Sequence, residues 1–350
     1  MAVRTGWEDR YCLSYQKTSF ATNGTWTATD KGIGAIDASA KCGLMLSNHP
    51  NIDGGKSVDF AQKTTGLAQN KYSSTNSEEY VDGKRTPKVA LEMGINPKRL
   101  GVFLWLLFQG GSSQGVTTPP ATQKNFVVPV AGSSQTEVWA AVGRAIGSGT
   151  GADGHAIYGC VAQQVTLSGA AGERCKMAVD LLGRAIATNV NHTASVFTVE
   201  SAATDAELLY WDFTTMSLGG TTVTTGLESW SLTMNNNIAA KNYAQQAVSN
   251  FTMGRFTTSG SIKLAMSTTT AGDNAQIDAF VAGTQKILIL SKGTTGTDGY
   301  INISANCLYT GATVDPAEEL MLDLPFDCAY DGTNQSIAID VCDNINRTIT

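Results

Sequence analysis

The chain has 350 residues, 42% hydrophobic and 15% charged, with 30 acidic against 24 basic side chains and a net charge of −6. That is enough apolar material for one or two globular domains. The acidic balance argues against a basic surface that grips nucleic acid, because affinity for phosphate comes largely from Lys and Arg; it leaves open a surface past which DNA slides.

The charged share falls below the usual value of roughly 25%, as expected of a chain with much of its surface against other protein. The seven cysteines show no CxxC spacing, so reduced thiols made in a cytoplasm are expected. The first fifteen residues have no apolar run of signal-peptide type. No stretch approaches the roughly 20 apolar residues of a membrane span.

In chain order, residues 83–93 read as a strand and 96–111 as a helix. Asn96 suits the N-cap and Pro97 the first helical position. Leu100, Phe103, Leu104, Leu107 and Phe108 form one apolar stripe. Val102, Trp105 and Leu106 form a second, and Gly110 and Gly111 supply a stop. A helix that is apolar all round must be covered all round. The second stripe is therefore expected to meet either the chain's own second half or a neighbouring subunit.

A loop or linker follows over 110–124, then strand-like runs at 126–131, 137–146 and 156–169. In the last, Val161, Gln163, Val165 and Leu167 alternate. Beyond it, 228–237 places Trp230, Leu232 and Met234 on one face, and 258–266 does the same with Ile262, Leu264 and Met266. Such alternation predicts sheets with one face buried. A second helix is expected over 273–283, with Ile277, Phe280 and Val281 on its apolar face. Strands at 285–293, 300–309 and 320–327 follow it. Strand, helix and three strands thus occur twice. The pattern predicts a mainly β chain of two similar domains, 1–168 and 169–350, each with one helix; one large sandwich is the alternative.

No constellation for chemistry emerges. His49, His155 and His192 stand in no HExxH and near no cysteine pair. Residues 53–57, "DGGKS", would need a glycine at position 50 to end a phosphate-binding loop, and Pro50 stands there. A GxSxG string at Gly111–Gly115 falls in the 110–124 loop and a GxGxxG string at Gly149–Gly154 in a Gly-rich joint between strands, so neither has the strand-to-helix context that its chemistry needs. No catalytic, cofactor or metal site is expected, and the chain reads as a non-enzyme.

Residues 227–266 resemble the signature region of tail tube (major tail) proteins of long-tailed, non-contractile bacteriophages. The resemblance lies in the strand Ser231 to Asn237 with its Asn run, the Gly254–Arg255 pair and the strand Gly260 to Met266. Residues 158–183 resemble the hairpin upstream of that region; "KRTPKVALEM" and "LGVFLWLLFQGG" resemble the N-terminal strand and helix, and "LMLDLPFDCAYDG" the closing strand. It is weakest over 10–75 and 185–225.

The resemblance implies tandem β-sandwich or half-barrel domains that polymerise into stacked rings around a hollow channel. Three chains would close a ring with pseudo-sixfold symmetry, or six with true symmetry. It also implies tape-measure, tail-terminator and tail-tip partners, DNA passing through the lumen without specific binding, and a place in the virion tail after synthesis in the host cytoplasm. On the strands 158–168, 229–237 and 257–266, Gln164, Thr166, Ser231, Thr233, Ser261 and Lys263 are candidates to face the lumen; an ordinary solvated sheet face is the other reading. A tail-tip or baseplate ring component of the same fold remains an alternative, as does a β-rich receptor- or carbohydrate-binding module.

Overall fold

The computed structural model describes residues 10–16, 43–44, 56–60, 80–108, 122–128, 139–145, 154–190, 207–224, 226–243, 248–266, 272–316 and 320–343. The fold is mainly β, with two α-helices among the described residues. Strands β1 (Arg10–Gln16), β2 (Gly43–Leu44), β3 (Lys56–Phe60), β4 (Tyr80–Arg85) and β5 (Lys88–Gly94) precede helix α1 (Pro97–Leu107). Then come β6 (Thr122–Val127), β7 (Trp139–Ala145), the long β8 (Gly154–Ala170), β9 (Lys176–Leu182) and β10 (Ala185–Val190). After these follow β11 (Thr215–Leu218), β12 (Thr221–Thr222), β13 (Leu227–Asn235), β14 (Ala239–Lys241), β15 (Asn250–Thr252) and β16 (Thr257–Ala265). Helix α2 (Gly272–Ala282) leads to β17 (Lys286–Lys292), β18 (Ile301–Tyr309), β19 (Thr313–Asp315), β20 (Met321–Cys328) and β21 (Ile337–Asp343).

All the pairings are antiparallel. One array runs β5, β9, β8, β13, β16, β20. A second runs β6, β21, β18, β17, β11, β12. They join because β18 pairs with β21 through residues 301–305 and with β20 through residues 307–309. A third patch pairs the first half of β8 with β10 on one side and with β7, β1 and β2 on the other.

The first array alternates along most of its length, as expected of half-buried strands. On its inner face Met93, Met177, Leu167, Leu232, Gly260 and Phe326 form one cross-strand row. This face shares a single apolar core with Ile303, Ile339 and Leu288 of the second array and with all of α1.

Helix α1 follows its sequence signals. Asn96 Oδ1 accepts the Arg99 N–H at 2.7 Å, and Pro97 opens the first turn. Arg99 to Phe108 are buried, because α1 lies against β8 on one side and β21 and β6 on the other. Phe108 adds ring contacts to Phe126 and Phe256 at 6.4 and 5.4 Å between centroids. Residue 168 falls inside β8, so the halves 1–168 and 169–350 share a strand where they meet.

Several expectations are corrected. The strand over 83–93 is two strands, parted at Thr86 and Pro87, because proline has no N–H for the ladder. The 126–131 strand starts earlier, at Thr122, drawn by pairing with β21, and its residues 129–131 lie outside the described ones. Most of the 110–124 loop lies outside them as well. Helix α2 turns Phe280 and Val281 outward, Val281 being 78% exposed, while Gln276 and Ala279 face inward. The inner face is set by the Tyr309 hydroxyl, which donates to Gln276 Oε1 at 2.7 Å. A bulge between Ala162 and Gln164 also divides β8. Val161 therefore joins Ile238, Val248 and Phe251 in a small second cluster, whereas Val165 and Leu167 enter the main core.

Candidate functional site

The face of the first array that points away from the core is polar throughout its centre. Thr166 on β8 stands opposite Thr233 on β13, their hydroxyls 3.1 Å apart. Ser231 on β13 stands opposite Ser261 on β16, with hydroxyls 3.0 Å apart. Asn235 Nδ2 donates to Gln164 Oε1 at 3.0 Å, and Gln164 Nε2 donates to Thr166 Oγ1 at 3.4 Å. Lys263 lies on the same face and pairs with Glu228 at 3.2 Å. The structure thus gathers all six sheet residues singled out above, Gln164, Thr166, Ser231, Thr233, Ser261 and Lys263, on one face of three adjacent strands.

Apart from the Lys263–Glu228 pair, the charges named here stand on the flanking strands of this face. Lys176 and Asp180 stand on β9, and Asp323 and Asp327 on β20. Burial raises the Asp180 carboxyl above the ordinary carboxylate range, and Lys88 opposes that shift. The centre bonds with itself through neutral side chains. Such a surface offers hydrogen bonds to water and no cluster of cations to hold phosphate.

The Asn run next to this face works residue by residue. Asn235 reaches across to β8. Asn236 is buried, and its Nδ2 donates to the Leu107 carbonyl at 2.6 Å and the Ala162 carbonyl at 3.2 Å. It thereby ties the last turn of α1 to the bulge in β8. Asn237 turns the chain with φ 48, a left-handed value that Asn tolerates better than most residues. Its Nδ2 donates to the Arg255 carbonyl at 2.7 Å. A Cβ on Gly254 would press against the Asn237 carbonyl at 2.5 Å, and one on Gly260 would meet the Ser231 carbonyl and the Phe326 ring. The glycines of the signature therefore keep the backbones of β13 and β16 close.

Val102, Trp105 and Leu106 are buried inside α1, Trp105 at 2% exposure. On the outward sheet face, sequence reading passed over Ser168, Asn235, Ser259 and the β20 acids, although the same alternation identifies them. It also passed over an ion pair that carries no local pattern. Buried Arg99 donates to Glu207 Oε1 and to the Gly94 carbonyl, both at 3.0 Å, and Glu207 Oε2 accepts from Arg174 at 3.0 Å. Among the described residues no group of three or more His, Cys, Asp or Glu side chains could hold a metal ion.

The family model described as phage tail tube protein matches residues 19–328. The chain belongs to the phage tail tube protein family. The match takes in the whole hydroxyl-rich face, α1, the Asn run and both signature glycines. The fold agrees with the β-rich architecture expected from the resemblance, and the family is one of structural tail components. No curated protein matches the chain.

Proposed function

We propose that the chain polymerises into stacked rings that form the hollow tube of a non-contractile phage tail, with the hydroxyl-rich face of β8, β13 and β16 lining the channel. The observation that carries this reading is the run of paired hydroxyls at the centre of that face in a chain of the tail tube family. DNA passing such a wall displaces no paired cations and forms no counterion-releasing contacts. Asp180, Asp323 and Asp327 at its flanks repel phosphate, and Lys263 is already paired with Glu228.

Assembly with tape-measure, terminator and tail-tip proteins belongs to the same reading, as does the move from host cytoplasm to virion tail. Val102, Trp105 and Leu106 then belong to the contact between the halves of the chain, where β21 of the second half lies against α1 of the first. If the segments 1–168 and 169–350 each act as a tube unit, three chains close a ring. If the whole chain is one unit, six do, and the β8 strand shared across residue 168 favours six.

The test is electron microscopy of the purified protein with end-on views classified by symmetry, together with the mass of one ring. Hollow rings or tubes support the reading, and the mass separates three chains from six. Solid particles, or single chains at every concentration even with tail-tip complexes added as initiators, count against it.

A further inference from the structure

Cys307 on β18 stands directly across from Cys328 on β20, at the point where β18 leaves β21 for β20. The Ala329 N–H donates to the Asn306 carbonyl at 3.1 Å, and the Thr310 N–H to the Pro325 carbonyl at 2.9 Å. In an antiparallel ladder those bonds come from the neighbours of the facing residues, which makes 307–328 a non-hydrogen-bonded pair. At such pairs the Cα atoms approach to about 4.5 Å with both side chains on one face, inside the range of about 4.4–6.8 Å that a disulfide bridges. Both residues are thiols; Cys307 is buried and Cys328 partly buried, the more accessible of the two. The Cys307 thiol donates to the Ala305 carbonyl at 3.4 Å. Of the other placed cysteines, Cys160 faces Ala140 and Cys342 faces Gln123.

We propose that Cys307 and Cys328 form a redox-active dithiol that closes to an intramolecular disulfide when the folded protein meets a disulfide oxidant such as oxidised glutathione. Cys328, the accessible thiol, loses its proton to solvent, attacks a glutathione sulfur and releases one glutathione thiolate. Cys307, its proton also passing to solvent, then attacks the Cys328 sulfur and expels the second glutathione thiolate. Two protein thiols are oxidised, and one oxidised glutathione is reduced to two thiols. The new bond staples the corner at which β18 joins the two arrays. In a reducing cytoplasm the staple is open, and outside the cell it closes. This inference rests on the ladder geometry and not on the tube reading.

The test uses the full folded chain, purified with reductant, freed of it and incubated with oxidised glutathione. Remaining thiols are blocked with N-ethylmaleimide before digestion and mass mapping. The expected product is a Cys307–Cys328-linked peptide pair lighter by two hydrogens, with a thermal midpoint raised by about 5 °C and restored by dithiothreitol. Cys328→Ser should abolish both. Cys307→Ser should leave glutathione on Cys328, since the resolving thiol is gone. Recovery of both cysteines as N-ethylmaleimide adducts, or a lasting glutathione adduct on Cys328 in the unsubstituted protein, would overturn the proposal.

Discussion

The side-chain amide of Asn236 reaches the carbonyl of Leu107 at 2.6 Å, although 129 residues of chain separate them. The last carbonyls of a helix have no intrahelical donor. Here one of them is buried and receives its hydrogen bond from the residue that follows β13, a strand of the hydroxyl-rich face. Asn236→Ala should cost about 1–3 kcal/mol, because it strips a donor from two buried carbonyls. Asn236→Asp should cost more, since an ionised carboxylate cannot donate. Denaturant unfolding of both variants checks the order; an unchanged midpoint for Asn236→Ala would show that the amide adds nothing to stability.

Gly260→Ala should destabilise by about 1–3 kcal/mol through overpacking, because the new methyl meets the Ser231 carbonyl and the Phe326 ring. Adding Phe326→Leu should recover only part of the loss, as the backbone clash remains. Thermal unfolding of the single and double variants reads both effects.

Trp105→Asp should prevent folding into a soluble, assembly-competent chain, since it places a carboxylate in the apolar space between β8 and the β21–β6 pair. Trp105→Phe should fold with a loss of about 1–3 kcal/mol. Size-exclusion chromatography and circular dichroism separate the two outcomes.

Acid sensitivity should have a local origin at Asp331. Hydrogen bonds from the Asn334 side chain and from the Asn334 and Thr333 N–H groups hold its carboxyl at about 2. A lowered pKa gives stability that is present above the ordinary value of 3.8 and is lost as pH falls through about 2. Amide exchange at Thr333 and Asn334 should therefore speed up across that window, and Asp331→Asn should remove the pH dependence. Asp180 works in the opposite sense. Its raised pKa favours the folded state more as pH falls through that raised value towards the ordinary one, and Lys88→Ala should raise it further.

If the hydroxyl-rich face lines a channel as proposed, placing charge on it should leave assembly intact and alter transit. Thr166→Lys with Thr233→Lys adds facing cations at the centre of the sheet face. Tubes should still form, and DNA delivery should slow in a salt-dependent way. Asp323→Asn with Asp327→Asn should also slow delivery, more mildly, by removing repulsion. Delivery that is unchanged in both would remove the face from the channel wall.

What the sequence shows best is local. The ends of α1 follow from Asn96 and Pro97, and the alternation in β13 and β16 already sorts Trp230 and Leu232 from Ser231 and Thr233. Events set by distant partners are illegible locally. The bulge that turns Val161 away from Val165 arises beside Asn236, and the inner face of α2 is chosen by Tyr309 rather than by apolar spacing. The partition of β18 between two neighbours depends on strands that come later in the chain. Periodicity tells which side of a strand is wet, but not which strand lies next to it.

The pairing of β21 with β6 sets Asp343 opposite Thr122 and brings β21 over α1. The helix is thus roofed by a strand translated long after it. Until then α1 exposes a greasy surface, a state open to chaperones and proteases. A message cut short before β21 leaves that surface uncovered. The order of synthesis therefore sets when the newborn chain is covered, since α1 is roofed only once β21 has been made.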